Sequence, residues 1–350
     1  MIKISKTTRT NALTYLLVIA AFAAVQVMMG TGMITASLKG QLVPICAYVV
    51  MAISLNLTVG ILGELSLGHA GFMSVGAFAG VIAAASLERS VAIPELRLAI
   101  AIVVGAICAA AAGVLIGIPV LRLKGDYLAI VTLAFGEIIS NVINCLYVGI
   151  DSKGIHINML SGVEALHLEQ TGRIIINGPV GAAGITKISS FTAGFILILI
   201  TLLIVQNLIN SRTGRAILAV RDNRISAESV GIGVTKYKMI AFVISAALAG
   251  IAGVLFALNI NTIVPTKFNF NTSILILVFV VLGGLGNMWG SIIAATVLTI
   301  LPEALRGFNN YRMLVYAIVL ILIMLLTNSN AVKRLISRIR GGSRLKGGTQ

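Results

Sequence analysis

The chain has 350 residues, 58% of them hydrophobic and only 11% charged, with 26 Lys and Arg against 11 Asp and Glu. Soluble domains are about a quarter charged, so a soluble globular fold is excluded. Apolar runs of about twenty residues without alternation exclude a β-barrel in favour of spanning helices. The net charge of +15 does not mark nucleic-acid binding, because aromatic residues do not interleave with the basic ones; it follows from retention of Lys and Arg on the cytoplasmic side of a bilayer.

Lys3, Lys6 and Arg9 precede an apolar run from Ala12 to Met29. That run is long for the core of a cleaved leader, and no clear small-residue cleavage site follows it, so an uncleaved first helix starting in the cytoplasm is expected. Further spans are expected over 42–62, 66–86, 98–120, 126–148, 191–210, 239–260, 273–287, 290–305 and 313–329. The resulting expectation is an all-α, polytopic membrane protein of about ten transmembrane helices with cytoplasmic N- and C-termini. A transmembrane domain occupies 1–330, with an extracytoplasmic segment at 149–190 and a cytoplasmic loop at 211–238, and a basic cytoplasmic tail occupies 331–350. This parity puts the Arg122/Lys124 turn, the 211–238 loop and the tail residues Lys333, Arg334, Arg338, Arg340, Arg344 and Lys346 inside. About seventeen of the 26 Lys and Arg then lie on that side, and shifting by one span would invert the bias.

Two junctions, Gly63-Glu64-Leu65-Ser66 and Gly283-Gly284-Leu285-Gly286-Asn287, are short and glycine-rich. Each suits either a tight turn or a broken helix lining a pathway. Between them in sequence, the fifth span carries Asp126 at its start and Glu137 eleven residues on, about 16 Å deeper and close to the bilayer centre. Ser140, Asn141 and Asn144 share a helix face with Glu137. A carboxylate at that depth must meet protein or water, so the face is either a translocation pathway or a hydrogen-bonded seam between helices. Asn56 and Glu64 are further pathway candidates.

His69 lacks the neighbouring titratable groups that a proton relay needs, only Glu64 being near in sequence, and the packed-interior reading is preferred to the relay. Gly76/Gly80 and Ser245/Ala249/Gly253 are small-residue ridges of the kind that let helices approach closely. Cys46, Cys108 and Cys145 all fall in apolar spans, with neither disulfide nor metal spacing. In the 149–190 segment, His156, Glu164, His167 and Glu169 match no metal motif, and the segment is read as a surface cap or docking platform.

The polar stretch Ser211–Lys238 holds six Lys or Arg amid apolar spans. Gly214–Val220 either extends the sixth span or forms its own short helix. Asp222 and Asn223 are N-cap residues for a second helix over about Ile225–Val230, closed by Gly231 and Gly233. So short a helix is marginal alone in water and makes sense when packing holds it against this chain and a partner; the plainer alternative is a solvated basic loop.

These residues carry a resemblance. Gly214-Arg215-Ala216, Ala219-Val220-Arg221-Asp222-Asn223, Ala227-Glu228-Ser229-Val230-Gly231-Ile232 and Val234-Thr235-Lys236-Tyr237-Lys238 resemble the coupling segment of branched-chain amino acid ABC importer permeases. The likeness extends to Ser54-Leu55-Asn56-Leu57, Gly63-Glu64-Leu65-Ser66-Leu67-Gly68-His69-Ala70-Gly71-Phe72, Lys124-Gly125-Asp126-Tyr127 and Val281-Leu282-Gly283-Gly284-Leu285-Gly286. It covers about residues 40–325; the stretch 149–175 and the basic tail depart from it. The resemblance implies a subunit of the bacterial cytoplasmic membrane that forms half of a pathway and performs no catalysis. It also implies partners: a second homologous permease, two cytoplasmic ABC ATPases and an extracytoplasmic amino-acid-binding protein. Arg221, Asp222, Asn223, Ala227, Glu228 and Gly231 would couple to the ATPases. No cofactor is expected in this chain, ATP being held by the partners. Independently, the sequence contains no G-x-x-x-x-G-K-[ST] phosphate loop. A permease for urea or another small amide, and a secondary ion-coupled transporter using Glu137 and His69, are the competing expectations.

Overall fold

The computed structural model describes residues 6–32, 35–88, 90–123, 125–151, 154–159, 162, 164–166 and 172–328. Lys3, Lys124, His167, Glu169 and the basic tail lie outside the described residues. Twelve helices are present among the described residues: α1 (Lys6–Gly30), α2 (Ala36–Asn56), α3 (His69–Ser86), α4 (Pro94–Val120), α5 (Asp126–Asn144), α6 (Phe191–Asn210), α7 (Arg212–Asp222), α8 (Arg224–Ser229), α9 (Val234–Ala257), α10 (Phe270–Gly283), α11 (Met288–Ala304) and α12 (Arg312–Asn328). The chain divides into two units, 1–296 and 297–350. The second comprises the end of α11, a 3₁₀ segment over Leu305–Tyr311 and α12.

In the first unit α2 is buried without interruption from Val49 to Asn56, with the polar Ser54 and Asn56 hydrogen-bonded inside the bundle. Around it, helix contact is made by small residues. Gly76 of α3 meets Gly250 of α9 so closely that a Cβ on Gly76 would lie 2.3 Å from the Gly250 Cα. Gly253 packs against the Met73 carbonyl and Gly80 against Val254. Both small-residue ridges are therefore packing surfaces. On α4, Ala101, Gly105, Ala109 and Gly113 turn inward while Val103, Ile107, Val114, Leu115 and Ile118 are exposed. Small residues inside and large apolar residues outside invert the soluble pattern and suit a protein whose solvent is lipid.

Seven helices among the described residues are long and apolar enough to cross a membrane; Leu17–Gly30 and Phe270–Gly283 are shorter apolar helices. The molecule is a mostly helical, multi-pass membrane protein. The mostly helical architecture agrees with the all-α expectation, and one small five-stranded antiparallel sheet of order β2-β1-β3-β4-β5 accompanies the helices. Its strands are β1 (Leu146–Ile150), β2 (Ile155–Met159), β3 (Arg173–Asn177), β4 (Ala182–Ala183) and β5 (Thr262–Ile263). The expected fifth span, 126–148, accordingly stops at Asn144. Tyr147, Val148 and Ile150 favour either a strand or an apolar helix end, and pairing with β2 and with β3 decides for the strand. At the β1–β2 turn the Asp151 carboxylate accepts from Gly154 N at 3.1 Å and pairs with His156 Nε2 at 3.0 Å.

Candidate functional site

The polar stretch at 211–238 folds into two short helices held at defined angles by capping. Ser211 Oγ accepts from Gly214 N at 3.1 Å and starts α7 as a separate helix. Asn223 Oδ1 accepts from Ser226 N at 3.0 Å and starts α8, satisfying one of the donors that a helix start leaves open. Gly231, at φ +82°, ends it: Ile232 N bonds to Ala227 O and Gly231 N to Glu228 O, each at 3.0 Å. This is the double bond pattern of a Schellman close, and its hydrophobic contact is present too, since Ile232 packs on a small core of Val220, Ala227 and Val234.

The result is a six-residue helix locked by one side and bare on the other. Ala227 is buried against its own chain, so it anchors the helix and offers nothing outward. Ile225 and Val230 are 79% and 74% exposed. Glu228 is exposed and pairs with Arg224 at 3.1 Å. Ile225 and Val230 are the residues that sequence reasoning missed. The sequence signal that could have pointed to them is a pair of large apolar side chains in an otherwise polar stretch.

Arg221 closes α7 and points back into the helical bundle. Its Nη1 donates to Gly60 O at 3.1 Å, and its Nε and Nη2 donate to Asp222 Oδ1 at 3.1 and 2.9 Å. Gly60 belongs to a π-helical continuation of α2 over Leu57–Leu62, which stops at Gly63 with φ +79°. The chain then runs non-helically to His69. The first glycine-rich junction is thus an extended connection between two span-length helices. The second, at 283–287, is a tight turn with Gly284 and Gly286 at φ +93° and +79°.

Asn56, at the end of α2, ties that helix to the second junction and to α11. Its Oδ1 accepts from Gly286 N at 2.8 Å and its Nδ2 donates to Ser291 Oγ at 2.9 Å. Glu64 forms an ion pair with Lys238 of α9, and both are largely shielded. His69 is buried, with Nε2 2.8 Å from Ser54 Oγ. Ser54 Oγ donates to Ser245 O and Ser245 Oγ to Ser54 O, both at 2.6 Å. Both serine hydrogens are spent, so the ring nitrogen is the donor. Histidine here knits α2, α3 and α9 together.

Glu137 and Asn141 lie elsewhere, on the exposed side of α5 together with Tyr127, Ile130, Ala134, Ile138 and Val142. Ser140 is on the buried side, with Oγ 3.4 Å from Pro265 O. Asn144 is half-buried, and its Oδ1 has no partner among the described residues. The pathway candidates therefore separate into two groups: Asn56, Glu64 and His69 in the interior, and Glu137 and Asn141 on an outward face.

The described residues form a multi-pass helical membrane protein with two glycine-rich junctions and a short capped helix in its polar segment. The comparisons make that specific. The chain belongs to the family described as branched-chain amino acid transport system / permease component, which matches residues 37–324. It is 34% identical over 296 residues to the high-affinity branched-chain amino acid transport system permease protein LivM of Escherichia coli K12, and 35% identical over 288 residues to its counterpart from Salmonella typhimurium LT2. Each match covers 79% of this chain and 66% of the relative, just under two thirds of the relatives' length. A shorter match, 31% identical over 126 residues, is to the fructose import permease protein FruG of Bifidobacterium longum, covering 34% of this chain and 37% of the relative. No solved structure matches.

Proposed function

We propose that the chain is the permease subunit of an ATP-driven importer for branched-chain amino acids in the bacterial cytoplasmic membrane. It forms half of the translocation pathway beside a second, homologous permease, receives substrate from an extracytoplasmic amino-acid-binding protein, and is driven by two cytoplasmic ABC ATPases. Family membership and the names of the long-matching relatives support the substrate class. The fructose permease match covers a third of the chain and weighs less.

The observation that carries the coupling reading is the pair Ile225 and Val230, exposed on a helix whose opposite side is fastened by Ala227, Ile232 and two caps. A free surface loop would have no use for two bare aliphatic side chains on a rigid mount. A partner that covers them gains their burial and finds them already ordered. On this reading 211–238 is cytoplasmic, in keeping with the distribution of Lys and Arg, and both termini lie on the same side.

The pathway lies along the outward face of α5. An exposed carboxylate halfway along a spanning helix is costly against lipid, about 2.5–3.5 kcal/mol on insertion scales, so Glu137 and Asn141 face water or the second permease. Alternating access then consists of rocking the bundles about that face. The test is uptake of labelled leucine into proteoliposomes holding the whole transporter. Uptake that requires internal ATP and survives collapse of proton and sodium gradients supports the reading, whereas uptake that follows the ion gradient refutes it.

A further inference from the structure

The projecting helix and the outward face of α5 are joined by a continuous set of contacts, and Arg221 stands at its entrance. The aliphatic stem of Arg221 lies on Gly63, where a Cβ would come within 2.7 Å of the Arg221 Cγ. Its guanidinium takes the carbonyl of Gly60 at 3.1 Å. That carbonyl sits in the last turn of the π-helical segment, where Thr58 O already receives both Gly63 N and Glu64 N. Carbonyls at a helix end lack helical donors, and Arg221 supplies one from another element. Short π segments are frequent at functional sites because the widened turn breaks the regular ladder.

From this segment two branches leave. One passes through Asn56 to Gly286 and Ser291, made possible by Gly60, where a Cβ would lie 2.2 Å from Gly286 N. The other follows the non-helical stretch to Leu67, whose N–H donates to Thr132 Oγ1 at 3.1 Å, and to Gly68, where a Cβ would lie 1.9 Å from Thr132 O. Thr132 is on the buried side of α5, and Glu137 is on the exposed side little more than a turn further on. Close backbone contact leaves no slack in either branch, so a displacement at one end has to be taken up at the other.

We propose that Arg221 is a positioning residue: it carries movement of the α7–α8 hairpin into the π-helical and non-helical segment at 57–68 and thence to α5, the Gly60 carbonyl being the point of grip. The proposal rests on the coupling reading above and adds that force passes through this one side chain.

The whole transporter in proteoliposomes provides the test, with leucine uptake and ATP hydrolysis measured together. In Arg221→Ala the ATPase should still co-purify and hydrolyse ATP, while leucine moved per ATP falls at least tenfold. Arg221→Lys, which keeps the charge and one donor for Gly60, should recover part of that ratio. Thr132→Val, which removes the acceptor for Leu67 N, combined with Arg221→Ala should lose little more than the worse single variant, because the two residues lie in series on the branch to α5. If Arg221→Ala does not accumulate in the membrane, the lysine variant alone decides: a ratio between twofold and tenfold below wild type supports the relay. An unchanged ratio in either variant, or fully independent losses in the double variant, overturns it. If the wild type shows no ATP-dependent uptake, it is the coupling reading that falls; if the wild type couples and the Arg221 variants do so equally well, only the relay falls.

Discussion

Replacing Ile225 and Val230 together with serine tests the part of the molecule that meets the motor. Both side chains are largely exposed in this chain alone, 79% and 74%, so the permease itself should lose almost no stability. In the assembled transporter the loss is of burial at an interface. A fully buried Ile or Val is worth about 1.5–3 kcal/mol. Scaled by the exposure still available, Ile225 contributes about 2 kcal/mol and Val230 about 1.5 kcal/mol. Allowing for some residual contact, about 3 kcal/mol of association is lost, roughly a 100-fold rise in Kd. The assay is titration of the purified ATPase against detergent-solubilised permease, wild type and Ile225→Ser/Val230→Ser, with the unfolding temperature of each permease alone as control. An affinity unchanged within twofold, with both permeases equally stable, would show that nothing covers this surface and would remove the coupling role from α8.

Three further outcomes are expected. Lys238→Met leaves Glu64 shielded from water without its cation; breaking such a pair costs about 3 kcal/mol, read as a lower unfolding temperature in detergent, and Glu64→Gln added to it should restore most of the loss. Gly76→Val places atoms where a first carbon already comes 2.3 Å from the Gly250 Cα, so α3 and α9 must separate, and a destabilisation of about 3 kcal/mol or more is expected by the same measurement. Glu137→Gln removes a charge that is expensive at midspan, so membrane yield should hold or rise while leucine uptake falls at least tenfold; undiminished uptake would take Glu137 off the pathway.

How the chain divides between what was legible and what was not follows from the range of the forces. Hydropathy is local and cumulative. Runs such as those in α4 and α6 therefore announced themselves as spans, and the chain's membrane class needed no coordinates. Capping is local as well: Asn223 and Gly231 marked the ends of α8 because a helix end leaves specific donors and acceptors open within a few residues. Small-residue spacing foretold that Gly76 would meet another helix, though not that Gly250 would be waiting there.

Contacts between distant segments were not legible. The strand at Leu146–Ile150 was expected as the end of a helix, because its partners lie elsewhere in the chain and apolar β-branched residues satisfy both patterns. The cation that pairs with Glu64 could not be named beforehand, because Lys238 lies 174 residues away in sequence. Ala227 and Ile225 share one short helix, and only packing against Val220 and Val234 decided which of them is an anchor and which is offered outward. Sequence alone determined that this is a chain of lipid-spanning helices with a capped polar segment between them, because solvent transfer and backbone satisfaction act residue by residue. Tertiary structure alone decided that Arg221 reaches the Gly60 carbonyl and that Glu137 stays on an open face, because a side chain's partner depends on which distant backbone folding brings within a few ångströms of it.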